Sequence, residues 1–219
     1  MIVKYPSPKA ILFDWDNTLM DTTPILYKAF CALRTHYNLP EYSMEEYRKR
    51  TGLSLRETFP ELFGDKWEEA KKVYLDAYRE HHLEMLTPFD KAREVVALAC
   101  EKTGNVGVVS NKTGAILREE IAHLGWQSYF RAVVGAGDAE HDKPAADPVF
   151  KALEKTGIVY ESGKLSAPVW FVGDGDADME CARVSGCLRV RMAAENKDGS
   201  DVLTVKNCEE LLSVLYSCV

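Results

Sequence analysis

The sequence predicts an α/β fold: a doubly wound, Rossmann-like parallel sheet carrying an inserted all-helical cap. Three observations point there. Short, wholly apolar runs recur along the chain, each closed by a polar or Gly-containing turn. Helical patterns alternate with the later runs, the signature of strand–helix–strand units in a parallel sheet. Between the first run and the second lies a long stretch at helical spacing with no convincing strand.

The apolar runs are Ala10 to Phe13, Val106 to Val109, Ala132 to Val134 and Val169 to Val172, with a fifth, Leu188 to Met192, soon after. Their length and bulk suit strands covered on both faces. Helices are expected over Pro88 to Lys102, Thr113 to Leu124, Asp147 to Thr156 and Asp176 to Ser185, with Gly104, Gly125, Gly157 and Gly186 at or just past their ends. Residues 21–86 are rich in aromatic, charged and Leu residues. Their helices are expected at Pro24 to Tyr37, capped by Thr22 or Thr23, at Met44 to Arg50 and at Lys66 to Leu86. Residues 1–20 and 87–219 then form the α/β core, and 21–86 a helical cap placed to act as a lid.

The chain has 219 residues, enough for one large domain or one domain with an insertion, and 46% of them are hydrophobic. A net charge of −7 and the lack of any Lys/Arg-rich stripe argue against nucleic acid as a partner. The N-terminus lacks the features of a signal peptide, and no apolar run is long enough for a bilayer, so no membrane partner is expected and the cytoplasm is the expected location. Six scattered cysteines without C-x-x-C or zinc-like spacing read as reduced thiols.

Four polar clusters fall at the expected carboxyl ends of strands, where such sheets bind ligands. They are Asp14-Trp15-Asp16-Asn17-Thr18, Ser110-Asn111-Lys112, His141-Asp142-Lys143-Pro144, and Gly173-Asp174 running on to Asp178. Two carboxylates as close as Asp14 and Asp16 repel, which calls for a metal ion, a shared proton, or both. Ser110 to Lys143 spans 33 residues and Lys143 to Asp174 spans 31, each about one strand-plus-helix unit. Together the clusters supply carboxylates, a hydroxyl and a cation for a phosphate and a hard divalent metal.

In this order and context the four motifs resemble those of the haloacid dehalogenase superfamily, specifically its phosphatases with a helical cap after the first motif, such as phosphoglycolate phosphatase. The resemblance spans nearly the whole chain. It implies Asp14 as the nucleophile that forms an aspartyl-phosphate, and Asp16 as the acid that protonates the leaving alcohol and then the base that activates water. It implies that Mg2+ is held by Asp14, the backbone carbonyl of Asp16 and Asp174, with Asp178 in support. Lys143, Ser110 and backbone N–H groups near Trp15 and Asn111 would hold the phosphoryl group. Two positions depart from the family pattern: Asn17 stands where Gly is frequent, and Ala146 where a second Pro often follows the Lys.

The function expected is hydrolysis of a small phosphorylated substrate, with phosphoglycolate one candidate. The alternatives are a sugar phosphomutase of the same family and a non-enzymatic phosphate- or partner-binding relative. Mutases resembling this chain carry a cap His about a dozen residues after the nucleophile, where this chain has Leu26, and all the reacting groups of an enzyme are present. A calcium EF-hand starting at Asp174 is discounted because Met179 and Ser185 stand where Gly and Glu are needed. Among histidines, His36, His81, His82 and His123 read as surface or packing residues, and His141 as one near enough to Lys143 to approach substrate. In the cap, Arg50 and Arg56 are candidates to bind a second anionic group of the substrate. The cap's many aromatics, among them Tyr42, Tyr47, Phe59, Trp67, Tyr74 and Tyr78, leave both a monomer and a homodimer open.

Overall fold

The computed structural model describes residues 5–48, 54–196, 199 and 202–218. Its centre is a parallel six-stranded sheet. In chain order the sheet strands are β1 (Ala10–Phe13), β2 (Val106–Thr113), β3 (Ala132–Ala136), β6 (Val169–Gly173), β7 (Leu188–Met192) and β8 (Leu203–Val205). A small antiparallel hairpin, β4 (Tyr160–Glu161) with β5 (Lys164–Leu165), stands apart. Spatial order is β3-β2-β1-β6-β7-β8, so the chain builds outward from β1 to one side and then returns to build the other. The reversal lies between β1 and β6, and a crevice opens at the carboxyl ends of strands where such a reversal occurs.

Strand alternation explains why these runs are apolar throughout. Ile11 and Phe13 of β1, with Trp170 and Val172 of β6, enter one core cluster; Ala10 and Leu12, with Val169 and Phe171, enter the other. Helices α6 (Ala92–Thr103), α7 (Gly114–His123) and α10 (Cys208–Ser217) cover the first face through Val95, Leu117 and Leu211. Helices α8 (Asp147–Leu153) and α9 (Asp176–Ser185) cover the second through Val149, Leu153 and Ala182. Each fully buried Leu, Ile or Phe contributes about 2 kcal/mol, so both faces are needed to hold a six-stranded sheet.

Between β1 and β2 run α1 (Thr23–His36), α2 (Met44–Arg48), α3 (Leu55–Phe63), α4 (Trp67–Arg79) and α5 (His82–Met85). Ile25, Ala29 and Leu33 recur every fourth residue on α1 and pack with Ala70, Tyr74 and Tyr78 of α4 in a third cluster. Thr22 stands at the N-cap of α1 without a side-chain capping bond. Of the aromatics that left a dimer open, Tyr47, Phe59, Tyr74 and Tyr78 are buried, and Tyr42 and Trp67 half-buried, within this chain. Among the described residues no helix is long and apolar enough to cross a membrane.

Several elements differ from expectation. The helix expected over Lys66 to Leu86 breaks between α4 and α5, and α3 carries Pro60 inside it, which hid it from a reading that stops helices at proline. Strand β8, helix α10 and the hairpin were not foreseen. Strand β2 runs past Val109 because it bulges: Val109 pairs with Val134 and Thr113 with Ala136, so Ser110, Asn111 and Lys112 stand opposite a single residue of β3.

Candidate active site

The first turn of the site follows from Asn17. After β1 the chain must curl back, and Asn17 takes φ 58, a left-handed conformation that Gly and Asn adopt most readily. Asn thus serves where Gly is the commoner solution. Its side chain also accepts a hydrogen bond from Thr23 Oγ1 at 2.6 Å, tying the turn to the start of α1. Within the turn Trp15 is fully buried, edge-on to Trp126 and Phe130, which holds Asp14 and Asp16 at the sheet edge.

Lys143 reaches the same edge from the loop after β3. Its backbone exchanges two hydrogen bonds with the Asn111 side chain, whose Nδ2 donates to Lys143 O at 2.9 Å and whose Oδ1 accepts from Lys143 N at 3.0 Å. The ammonium donates to Asp14 Oδ1 and Asp178 Oδ1, both at 2.6 Å, and to Val109 O at 3.0 Å. Asp178, the third residue of α9, accepts the Gly175 N–H at 2.9 Å with its other oxygen. Asp174 receives Thr18 Oγ1 at 3.2 Å, and its backbone carbonyl accepts from Arg191 on β7 at 2.8 Å. Sequence reasoning missed Arg191; it faces Gly173 across the β6–β7 ladder, a register that cannot be read without the pairing.

Asp14, Asp174 and Asp178 each offer a carboxylate oxygen, all within 4.8 Å of one another. Burial pushes the Asp14 carboxyl up to about 7, with the charges of Asp178 and Asp16 adding and Lys143 opposing. Burial likewise pushes Asp174 up to about 8, with Asp14 and Asp178 adding. Burial alone would lower Lys143, but Asp14 and Asp178 hold it well above the usual lysine range, so it stays charged. One ammonium cannot balance all three carboxyls of this cluster once they ionise, two of them buried and Asp174 half-buried, and an all-oxygen donor set suits a hard divalent cation. The residues present fit Mg2+.

A second buried network lies behind Asp16. Lys112 Nζ donates to Asp16 Oδ1 at 2.6 Å, to Glu120 Oε2 at 2.7 Å and to Tyr78 OH at 2.7 Å. Glu120, 0% exposed, also accepts from Trp15 Nε1 at 2.7 Å, Tyr78 OH at 2.7 Å and His82 Nδ1 at 3.1 Å. Lys112 and its other partners lower the Glu120 carboxyl below its usual range although burial raises it. Glu120, Tyr78 and His82 were not singled out as functional. Glu120 carried a signal, since Ile116, Leu117, Glu120 and Ile121 share one face of α7 and an acid on a core-facing stripe asks for a partner.

A cavity of about 610 Å3 joins the sheet edge to α1, α3 and α4. Asp14, Asp16, Ser110, Asn111, Lys143, Asp174 and Asp178, all expected from sequence, line it together. Leu26, Phe30, Phe59 and Tyr74 form part of the opposite wall. Arg56 does not line it. Its guanidinium donates to both oxygens of Asp142, at 2.5 and 2.7 Å. Arg50 lies outside the described residues. His141 is exposed and paired with Asp147 at 3.0 Å, away from the cavity lining. Asp176 opens α9 and pairs with Arg191 at 2.8 Å, unlike a calcium-loop ligand.

Residues 11–192 match the family described as haloacid dehalogenase-like hydrolase. A phosphoglycolate phosphatase of Chromobacterium violaceum is 27% identical over 94% of this chain and 96% of its own. An N-acetylmuramic acid 6-phosphate phosphatase of Pseudomonas aeruginosa is 30% identical over 81% of this chain and 78% of its own. A crystal structure of a haloacid dehalogenase-superfamily hydrolase from Ehrlichia chaffeensis, 28% identical, superposes with a TM-score of 0.63 over 97% of this chain and 98% of that one. With the family matched across most of its length and the same architecture in a solved relative, the chain belongs to the haloacid dehalogenase-like hydrolases.

Proposed function

We propose that the protein is a Mg2+-dependent phosphomonoester hydrolase that works through an aspartyl-phosphate on Asp14. The observation that carries this is the convergence of Asp14, Asp16, Lys143 and Asp174 in the lining of one cavity between the sheet edge and α1, α3 and α4. Asp14 attacks phosphorus, forming its own O–P bond as the bond to the leaving oxygen breaks, and Asp16 gives that oxygen its proton. Asp16 then takes a proton from water, the water oxygen bonds phosphorus, and the Asp14–phosphorus bond breaks to release phosphate. Lys143 favours the ionised form of Asp14 against its burial and offsets charge as the phosphate arrives, while Ser110 and the N–H groups near Trp15 and Asn111 hold phosphoryl oxygens. Asp14, Asp174 and the Asp16 carbonyl would hold Mg2+, with Asp178 in support, and the ion supplies further charge neutralisation when bound.

Residues 21–86 act in this reading as a cap over a core of residues 1–20 and 87–219, shielding the acyl phosphate from bulk water. Leu26 lines the cavity and has no proton to exchange, which supports transfer to water over transfer to a second sugar position. The substrate is a small phosphorylated metabolite, phosphoglycolate among the candidates suggested by the relatives. Phosphate release from a panel of phosphomonoesters, with Mg2+ and with chelator, tests the reading. Metal-dependent turnover lost in Asp14→Asn is expected; no turnover by folded, Mg2+-binding protein across a wide panel would overturn it.

A further inference from the structure

We infer that Glu120 is a positioning residue for the reaction: through Lys112 it fixes which oxygen of Asp16 faces the leaving group. This rests on the proposed role of Asp16 as general acid. Lys112 has three N–H protons and three acceptors within 2.7 Å: Asp16 Oδ1, Glu120 Oε2 and Tyr78 OH. All three protons are committed, so Lys112 is spent on holding neighbours. Because Oδ1 of Asp16 accepts from an ammonium, a proton carried by Asp16 sits on Oδ2, and it is Oδ2 that must present it to the leaving oxygen.

Glu120 keeps Lys112 in place and is itself held from three directions. Trp15 Nε1 donates to it from the chain segment between Asp14 and Asp16, Tyr78 OH from α4, and His82 Nδ1 from α5. The tether therefore joins the first-motif turn, α7 and two helices of the insertion at one buried carboxylate. Burying such charges gives little net stability compared with apolar packing. Placing the acid's proton to within a fraction of an ångström gives a large return in rate, since a 1 Å misplacement of a reacting group costs on the order of 100-fold.

A purely structural Glu120 and a positioning Glu120 differ in how their loss depends on the leaving group. An alkyl phosphate needs its leaving oxygen protonated, whereas p-nitrophenyl phosphate releases a stable phenolate and needs little help. The test compares kcat/KM for the best alkyl phosphomonoester with kcat/KM for p-nitrophenyl phosphate in wild type and Glu120→Gln, at saturating Mg2+, because kcat/KM ends at departure of the leaving group and excludes the hydrolysis of the aspartyl-phosphate that both esters share. The expected result is a loss of about 100-fold in kcat/KM on the alkyl ester and of less than about fivefold in kcat/KM on the aryl ester. Equal losses on both esters would overturn the inference. If Glu120→Gln does not fold by circular dichroism, Tyr78→Phe decides: it removes one acceptor from Lys112 and no charge, and the alkyl-to-aryl ratio should fall severalfold, an unchanged ratio counting against positioning. Asp14→Asn separates the two proposals. Its loss of activity on both esters leaves the hydrolase reading standing whatever Glu120 does, and its full activity on both would remove that reading first.

Discussion

The carboxylate of Asp178 fills the space that a side chain on Gly173 would need: a β-carbon there would lie 2.4 Å from Asp178 Cγ. The last residue of β6 is thus glycine so that the first turn of α9 can fold back over the strand end and bring Asp178 to Lys143. Gly173→Ala should displace Asp178 while leaving the sheet intact. Activity should fall roughly 10- to 100-fold and the Mg2+ concentration for half-activation should rise, both measured by phosphate release across a Mg2+ titration.

Lys143 is buried between two carboxylates, and its removal leaves both without their cation. Lys143→Met should lower kcat by at least about 100-fold and cost about 3 kcal/mol of stability in metal-free protein, read by urea denaturation. Mg2+ should restore part of the stability and none of the lost rate.

The pH dependence of metal-free protein follows from the raised carboxyls. Folded Asp14 and Asp174 keep their protons up to about 7 and about 8, whereas unfolded Asp loses its proton near 4. Between those limits the folded state binds more protons than the unfolded one, so stability falls as pH rises. Thermal unfolding in chelator should show Tm decreasing from pH 5 to pH 8, and saturating Mg2+ should flatten that decrease by favouring the ionised carboxylates. Asp174→Asn, which removes one of the charges, should unfold at higher temperature than wild type in chelator at pH 8 and gain less from Mg2+.

Much of this site was legible in the sequence because its chemistry follows strand ends. Asp14, Ser110 and Asp174 stand just after apolar runs and Lys143 in the loop that follows another, with Ser110, Lys143 and Asp174 each about one strand-plus-helix unit apart, and a parallel sheet must bring such positions to one edge. The Lys112–Glu120–Tyr78–His82 network obeys no such rule. Tyr78 and His82 meet Glu120 across 42 and 38 residues, through the docking of α4 and α5 on α7, and helical spacing says nothing of which helices dock. For a related reason the pairing of Arg56 with Asp142, 86 residues away, could not be read from the sequence. The fold was missed chiefly at its edges, in β8 and α10, where strands are short and alternation has few residues in which to show.

Arg56 joins α3 to the loop that carries Lys143, and Asp142, its partner, is buried with a second bond from the Gly137 N–H at 3.1 Å. Arg56→Gln should therefore cost roughly 1–2 kcal/mol in urea denaturation. It should raise KM by a similar factor for substrates with and without a second anionic group. A rise confined to substrates bearing a carboxylate would show instead that Arg56 leaves Asp142 to bind them.

The central claim is that phosphate passes through the Asp14 carboxylate, and trapping it there is the direct test. Protein quenched in acid during turnover and reduced with borohydride should yield homoserine at position 14, detected by peptide mass, only when substrate and Mg2+ were both present. Turnover with Asp14 unmodified, or with the label on another side chain, would contradict the account.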